Sequence, residues 1–271
     1  LELEKKARAL RKNVVMSIGV GNAGHLGGSF SAAEIVAALY FYKMKHDPKN
    51  PTKPDRDRFL LSKGHVAILQ YSALAEAGYF DISELPRTKS IGSKLQGHPD
   101  ARKVAGIEAC TGSLGQGLSI GLGMALGLRL DGYDSKVYVL IGDGELAEGQ
   151  IWEAAMAASA YKANKLVAIV DRNNVQAQGK TAERFPIDNI AEKWTAFGWR
   201  VLEIDGHNIT EITNALDASD NSEQPTVIIA NTVKGKGLDY AENHPAGYHN
   251  MPLTQEQFDQ AMELFSTGGD V

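Results

Sequence analysis

Three carboxylates crowd one glycine-rich turn in the stretch IGDGELAEGQ (residues 141–150): Asp143, Glu145 and Glu148 follow directly on the apolar run KVYVL. Like charges this close repel unless a cation sits among them or they point apart. Thirty residues after Asp143, a second apolar run, KLVAIVDR, ends in Asn173 and Asn174. A carboxylate and an amide, each just past a strand of adjacent βα units, meet in one crevice. Hard oxygen ligands of this kind, with a backbone carbonyl and a ligand's phosphate oxygens in the remaining positions, suit Mg²⁺. The helix beginning near Glu148 aims its N-terminus at that crevice, which favours a diphosphate. A lone GDG is an ordinary turn, and the acidic spacing is wrong for an EF-hand. No glycine pattern with a following Lys-Ser/Thr marks a Walker loop.

Histidines supply a second chemistry. Of the seven in the chain, His25 (AGH), His65 (KGH), His98 (QGH) and His249 (AGYH) stand beside or near glycine. Glycine lets a backbone approach a ligand closely, and imidazole donates or accepts a proton near neutral pH. His46, His207 and His244 are read as structural.

The elements that position these groups follow from periodicity. Strands are expected at RFLLS, KVYVLIGDG, KLVAIVDRNN, WRVLEIDG and PTVIIANTV, and helices at about 2–19, 31–44, 65–77, 115–130, 148–162, 190–198, 209–219 and 254–265. Ser31 and Glu34 have the spacing of a capping box for the second helix. In the fourth, Gly117, Gly121 and Ala125 recur every four residues, a flat face that admits another helix. This βαβ alternation predicts a three-layer α/β/α domain with a mainly parallel sheet, spanning 1–271 without a linker. Ligands of such sheets collect beyond the carboxyl ends of the strands, so the turns at 142–145, 171–175, 205–208 and 234–237 share one edge.

Composition excludes other classes. A net charge of -5, from 28 basic and 33 acidic residues, argues against nucleic acid or an anionic membrane as the main partner. The uncharged stretch 109–128 has a membrane span's length but too many glycines and hydroxyls. One cysteine, Cys110, cannot form an internal disulfide, which points to the cytoplasm.

Six ordered stretches carry a family resemblance: AGHLGGSFSAAEIVAAL, DRFLLSKGHVAILQYSALAEAG, LQGHPD, TGSLGQGLSIGLGMAL, GDGELAEGQIWEAA and DRNNVQAQG. Together with NTVKGKGLDYAENHPAGYHNMPL they resemble the N-terminal, thiamine diphosphate-binding domain (the diphosphate-side, or PP-type, domain) of transketolases. The resemblance implies that Asp143, Asn173 and the carbonyl of Val175 bind the metal, Mg²⁺ or Ca²⁺. It implies diphosphate and thiazolium contacts at His65, His249, Gly144, Asn173 and the Ser113–Leu114–Gly115 turn, with Lys63 and Lys234 flanking. His25, His98 and His249 are the implied catalytic, substrate-side histidines. One departure is Ser113, where the family often has proline.

The implied reaction moves a two-carbon ketol unit from a ketose phosphate to an aldose phosphate, with pentose phosphate pathway sugars as the family default. In the family a glutamate on a separate pyrimidine-binding domain activates the cofactor, and this sequence ends soon after the helix at 254–265. The expectation is therefore the N-terminal subunit of a split transketolase, completed by a separate C-terminal subunit in an α2β2 heterotetramer. Glu148, counted among the cofactor-side residues, and Glu153 match acidic residues near the family's subunit interface. They are equally ordinary first-turn glutamates, and Glu145 is expected in solvent. The alternatives are a deoxyxylulose-phosphate synthase-like protein, the α subunit of a 2-oxoacid dehydrogenase, or a non-catalytic cofactor-binding subunit.

Overall fold

Five parallel strands form the central sheet: β1 (Arg58–Leu61), β2 (Val137–Gly142), β3 (Leu166–Arg172), β4 (Arg200–Asp205) and β5 (Thr226–Asn231), in spatial order β1-β2-β3-β5-β4. The structure, a computed structural model, describes residues 1–267, so the last four residues of the expected 1–271 domain lie outside the described residues. Along β2, Val137, Val139 and Ile141 enter one apolar cluster while Tyr138 and Leu140 enter another. Both faces are covered, and for that reason the strand reads as an unbroken apolar run.

One layer contains α1 (Glu2–Ile18), α2 (Leu26–Ser31), α3 (Ala33–Ala38), α4 (Ala67–Ala77), α8 (Ile209–Ala218) and α9 (Gln255–Ser266). The other contains α5 (Gln116–Leu130), α6 (Gly149–Ala160) and α7 (Ile190–Ala196). The expected α/β/α architecture is present, and every strand pair in the central sheet is parallel. Among the described residues no helix is long and apolar enough to cross a membrane.

Two local expectations fail for physical reasons. Residues 31–44 are not one capped helix: α2 ends at Ser31, α3 follows, and Leu39–Lys43 close in a π-helical turn. The Ser31 hydroxyl donates to the Gly28 carbonyl and to Asp171 instead of capping. Glu34 is drawn away by Arg11, whose Nη1 and Nη2 donate to its two oxygens at 2.6 and 2.8 Å. The glycine face of α5 meets the sheet and not another helix. A Cβ at Gly117 would stand 2.2 Å from the Ser62 hydroxyl, and one at Gly121 would stand 2.5 Å from Val139 Cγ2.

A chain of polar contacts, buried at its Arg11–Glu34 end, joins both halves of the sequence. Glu34, already held by Arg11 of α1, also meets His207 Nδ1 at 3.0 Å. His207 Nε2 then accepts the Val233 N–H at 2.8 Å. His207 therefore faces inward from the turn after β4, and the outer position of β4 in the sheet keeps that turn away from the ends of β2 and β3. His46 is likewise tied up, between Tyr79 and the Tyr40 carbonyl.

Candidate active site

Strand register brings the two chemical turns together: Gly142 pairs with Asp171 across β2 and β3. Asp143 and Asn173 thus emerge side by side, on a cavity of about 220 Å³ that also meets Lys63, His65, Leu114, Val175, Lys234 and His249. A larger surface groove, about 650 Å³ between α1 and α9, contains none of the chemical residues.

Asp143 is almost wholly buried, and its two oxygens accept the N–H groups of Gly144 and Asn174. Burial, then the charge of Asp171, push its carboxyl up to about 6. A cation beside it would relieve both effects. The Asn173 amide donates from Nδ2 to Asp171 at 3.2 Å, and its Oδ1 accepts the Val175 N–H at 3.1 Å. The Val175 carbonyl faces a cation already, the Lys234 ammonium at 2.9 Å. Among the described residues no three His, Cys, Asp or Glu side chains could together hold a metal. The donor set here is one carboxylate, one amide and one carbonyl, all hard oxygen, which fits Mg²⁺ or Ca²⁺ better than a softer metal.

Beneath this set lies a residue that sequence reasoning missed. Asp171 is fully buried and accepts hydrogen bonds from the Lys63 ammonium, the Ser31 and Thr232 hydroxyls and the Asn173 amide. Burial opposes its charge, but Lys63 and the hydroxyls outweigh that and hold its carboxyl below the usual range. Lys63, expected only as a flank, also donates to the Gly28 carbonyl at 3.0 Å. In sequence Ser31 has the spacing of a cap, and Asp171 stands at the end of a strand. No local pattern reveals their meeting, which spans 140 residues.

Glu145 does not stay in solvent. It is 2% exposed, and its carboxylate accepts the Ser62 hydroxyl, the Gly115 N–H at 2.8 Å and the Gly142 N–H at 3.1 Å. A 3-10 turn over Gly144–Ala147 folds it back under the end of β2. Glu145 therefore ties the 113–115 turn to the sheet, and burial raises its carboxyl above the ordinary value. The original crowding of charge is resolved by direction: Asp143 and Glu145 turn inward to different partners, while Glu148 is exposed at the start of α6.

The rings of His25, His65 and His249 form a triangle with centroids 4.9, 5.1 and 5.2 Å apart. Burial first and then neighbouring positive charge lower all three: His25 to about 4, with His249 its strongest neighbour; His249 to about 4, under Lys234; and His65 to about 2, under His25. Lys234 lies 3.2 Å from His249 Nδ1, and burial, then Lys63, lower its ammonium to about 8. Burial and the nearby positive charges thus favour the neutral imidazole at all three positions. His98 is exposed and lies outside the cavity wall, its ring against Gly112, where a Cβ would come within 2.4 Å of it. Of the 113–115 turn, Leu114 lines the cavity, while Ser113 is exposed and Gly115 buried, neither of them on its wall.

Between pH 6.5 and about 4 the unfolded chain protonates His25 and His249 while the folded chain does not. The unfolded state binds more protons in that window, so these groups make stability fall as pH drops through it. Thermal midpoints measured at pH 7.5 and pH 5 should differ less in a His25→Gln/His249→Gln variant than in the parent chain. An equal difference would show that these imidazoles are not held neutral.

The family description "Transketolase, thiamine diphosphate binding domain" matches residues 3–268, and the chain belongs to that family. It is 45% identical over 263 residues to the 6-deoxy-6-sulfo-D-fructose transketolase subunit SqwG of Clostridium sp. (strain MSTE9), covering 97% of this chain and 95% of that one. It is 42% identical to an apulose-4-phosphate transketolase subunit of Actinobacillus succinogenes, covering 94% and 93%. The transketolase of Homo sapiens is 39% identical over 97% of this chain, which spans 42% of that enzyme. The solved transketolase of Campylobacter jejuni superposes on the whole chain with a TM-score of 0.90 at 33% identity, matching 44% of its own length.

Proposed function

We propose that this chain is the diphosphate-side subunit of a split transketolase, a single domain that transfers ketol units only together with a separate pyrimidine-binding subunit. The observation that carries the reading is the paired strand ends of β2 and β3, which set Asp143, Asn173 and Val175 around one cavity beside the clustered rings of His25, His65 and His249. The split form is supported by relatives named as subunits, of which the chain covers 93–95%, against 42% of the human transketolase.

In this reading Asp143, Asn173 and the Val175 carbonyl hold Mg²⁺. Gly144, His65, Leu114, Gly115 and Lys234 face the diphosphate and thiazolium. Thiamine diphosphate, when bound, supplies the nucleophilic carbon and the electron sink. The chain's own residues move protons: His25 and His249, neutral and adjacent, take and return them at the donor sugar's carbonyl and hydroxyl. His98, at the exposed rim, meets the outer part of the sugar. Two copies of this chain and two of its partner form an α2β2 assembly, with Glu148, which precedes α6, and Glu153, on it, exposed toward a neighbouring chain. A free, exposed Cys110 accords with the cytoplasm.

The test is reconstitution. With thiamine diphosphate and Mg²⁺ the chain alone should give no ketol transfer, and adding the pyrimidine-binding subunit should give turnover. Donors to compare are pentulose phosphates, apulose 4-phosphate and 6-deoxy-6-sulfo-D-fructose. Robust activity from the chain alone would overturn the split assignment, and an inert complex with every donor would overturn the transketolase assignment.

A further inference from the structure

Among the described residues, six buried side-chain polar atoms have no hydrogen-bond partner, and Gln176, whose Nε2 is one of them, is the one such residue that lines the cavity beside Asp143. Buried donors are almost always paired, so an orphan calls for an explanation. The other polar side chains of that wall, His65 apart, are already engaged. Lys63 and Asn173 donate to Asp171, Lys234 donates to the Val175 carbonyl, and Asp143 and Glu145 accept backbone N–H groups.

The amide is held where it is. The backbone of Gln176 pairs with Gly179 in a short ladder, and its side chain lies flat on Gly144. A Cβ at position 144 would come within 2.8 Å of Gln176 Cγ and 3.5 Å of Nε2. The absent side chain at Gly144 is thus what lets the amide lie against the Asp143 turn. A donor fixed there and lacking an acceptor in the protein is matched by an acceptor that arrives with the ligand.

We propose that Gln176 is an anion contact of the cavity, its amide N–H donating to an oxygen of the bound diphosphate. This rests on the reading of the cavity as a metal-diphosphate site. The contact is neutral, which suits its place: Lys63 and Lys234 already supply positive charge on the same wall. Gln176 then adds direction to the binding and not further charge.

The test is Gln176→Met, which keeps the length and removes the donor. Titrating the full chain with inorganic pyrophosphate in the presence of Mg²⁺, by calorimetry, should show binding about tenfold weaker than the parent. The thermal midpoint without ligand should be equal or higher, because an unpaired buried donor has been removed. Gln176→Glu should bind pyrophosphate more weakly still. Unchanged affinity in Gln176→Met overturns the proposal while leaving the cavity reading intact. Weaker affinity with a lowered ligand-free midpoint also overturns it, since the residue would then be structural. If the parent chain does not bind pyrophosphate with Mg²⁺, both the contact and the cavity reading fall.

Discussion

An Asp143→Ala variant, combined with the pyrimidine-binding subunit, is expected to bind thiamine diphosphate about 100-fold or more weakly than the parent, with added Mg²⁺ no longer improving the affinity. Groups one shell removed from a metal typically change affinity by about 10–100-fold, and Asp143 is the sole carboxylate of the proposed ligand set. Its charge is held at a cost, for burial and Asp171 push its carboxyl up to about 6. In the proposed metal site, a cation bound beside it would offset that cost. The free variant should remain folded, because the lost interactions are hydrogen bonds from Gly144 and Asn174, at a turn where water can replace the carboxylate. Calorimetric titrations with and without Mg²⁺ measure the effect directly. A metal dependence like that of the parent would remove Asp143 from the ligand set.

The second large effect is on stability and lies beneath the site. Asp171→Ala leaves the Lys63 ammonium, 3% exposed, with only the Gly28 carbonyl. Removing one partner of a buried ion pair costs about 3–5 kcal/mol, and urea denaturation should show a loss of that size. A Lys63→Met/Asp171→Leu double variant should recover most of it, since an apolar pair of similar volume is often as stable as a buried ion pair. Diphosphate affinity should stay depressed in the double variant, because the Lys63 charge is gone from the cavity wall and the Asn173 amide no longer has the carboxylate that orients it. A loss below about 1 kcal/mol in Asp171→Ala would show that the pair is not a keystone of the fold. Restored affinity in the double variant would show that Asn173 needs no holder.

The layers are legible in the sequence because burial on both faces leaves a plain signature. Apolar runs ending in polar turns mark β1, β2, β3 and β5, while the edge strand β4, interrupted by Glu203 and only partly buried, is marked more weakly; a parallel sheet then forces those turns to one edge. Asp143, Asn173 and Val175 can be assembled from that logic and the family motifs. What stays hidden depends on contacts between distant segments. Ser31 and Glu34 have the spacing of a cap, yet Asp171 and Arg11 compete for them more strongly. Glu145 looks like a solvent-facing turn residue until Ser62 and Gly115 arrive from other loops. Gln176 carries no sequence signal at all; only the unpaired state of its amide draws notice. The flat face of α5 is visible in the spacing, but spacing alone does not distinguish a sheet from a helix as its neighbour.

The Arg11–Glu34–His207–Val233 chain bears on the order in which the molecule can be completed. Synthesis delivers α1 and α3 early, but His207 and Val233 arrive nearly two hundred residues later. Strand β5, the last of the sheet to be made, inserts between β3 and β4 and carries the Lys234 loop behind it. Until that insertion, Glu34 has only Arg11 and lacks His207, and the Val175 carbonyl lacks its ammonium. The cavity beside Asp143 is thus completed only once β5 and the Lys234 loop are in place, and a nascent chain halted before β5 has Asp143 but no finished pocket around it.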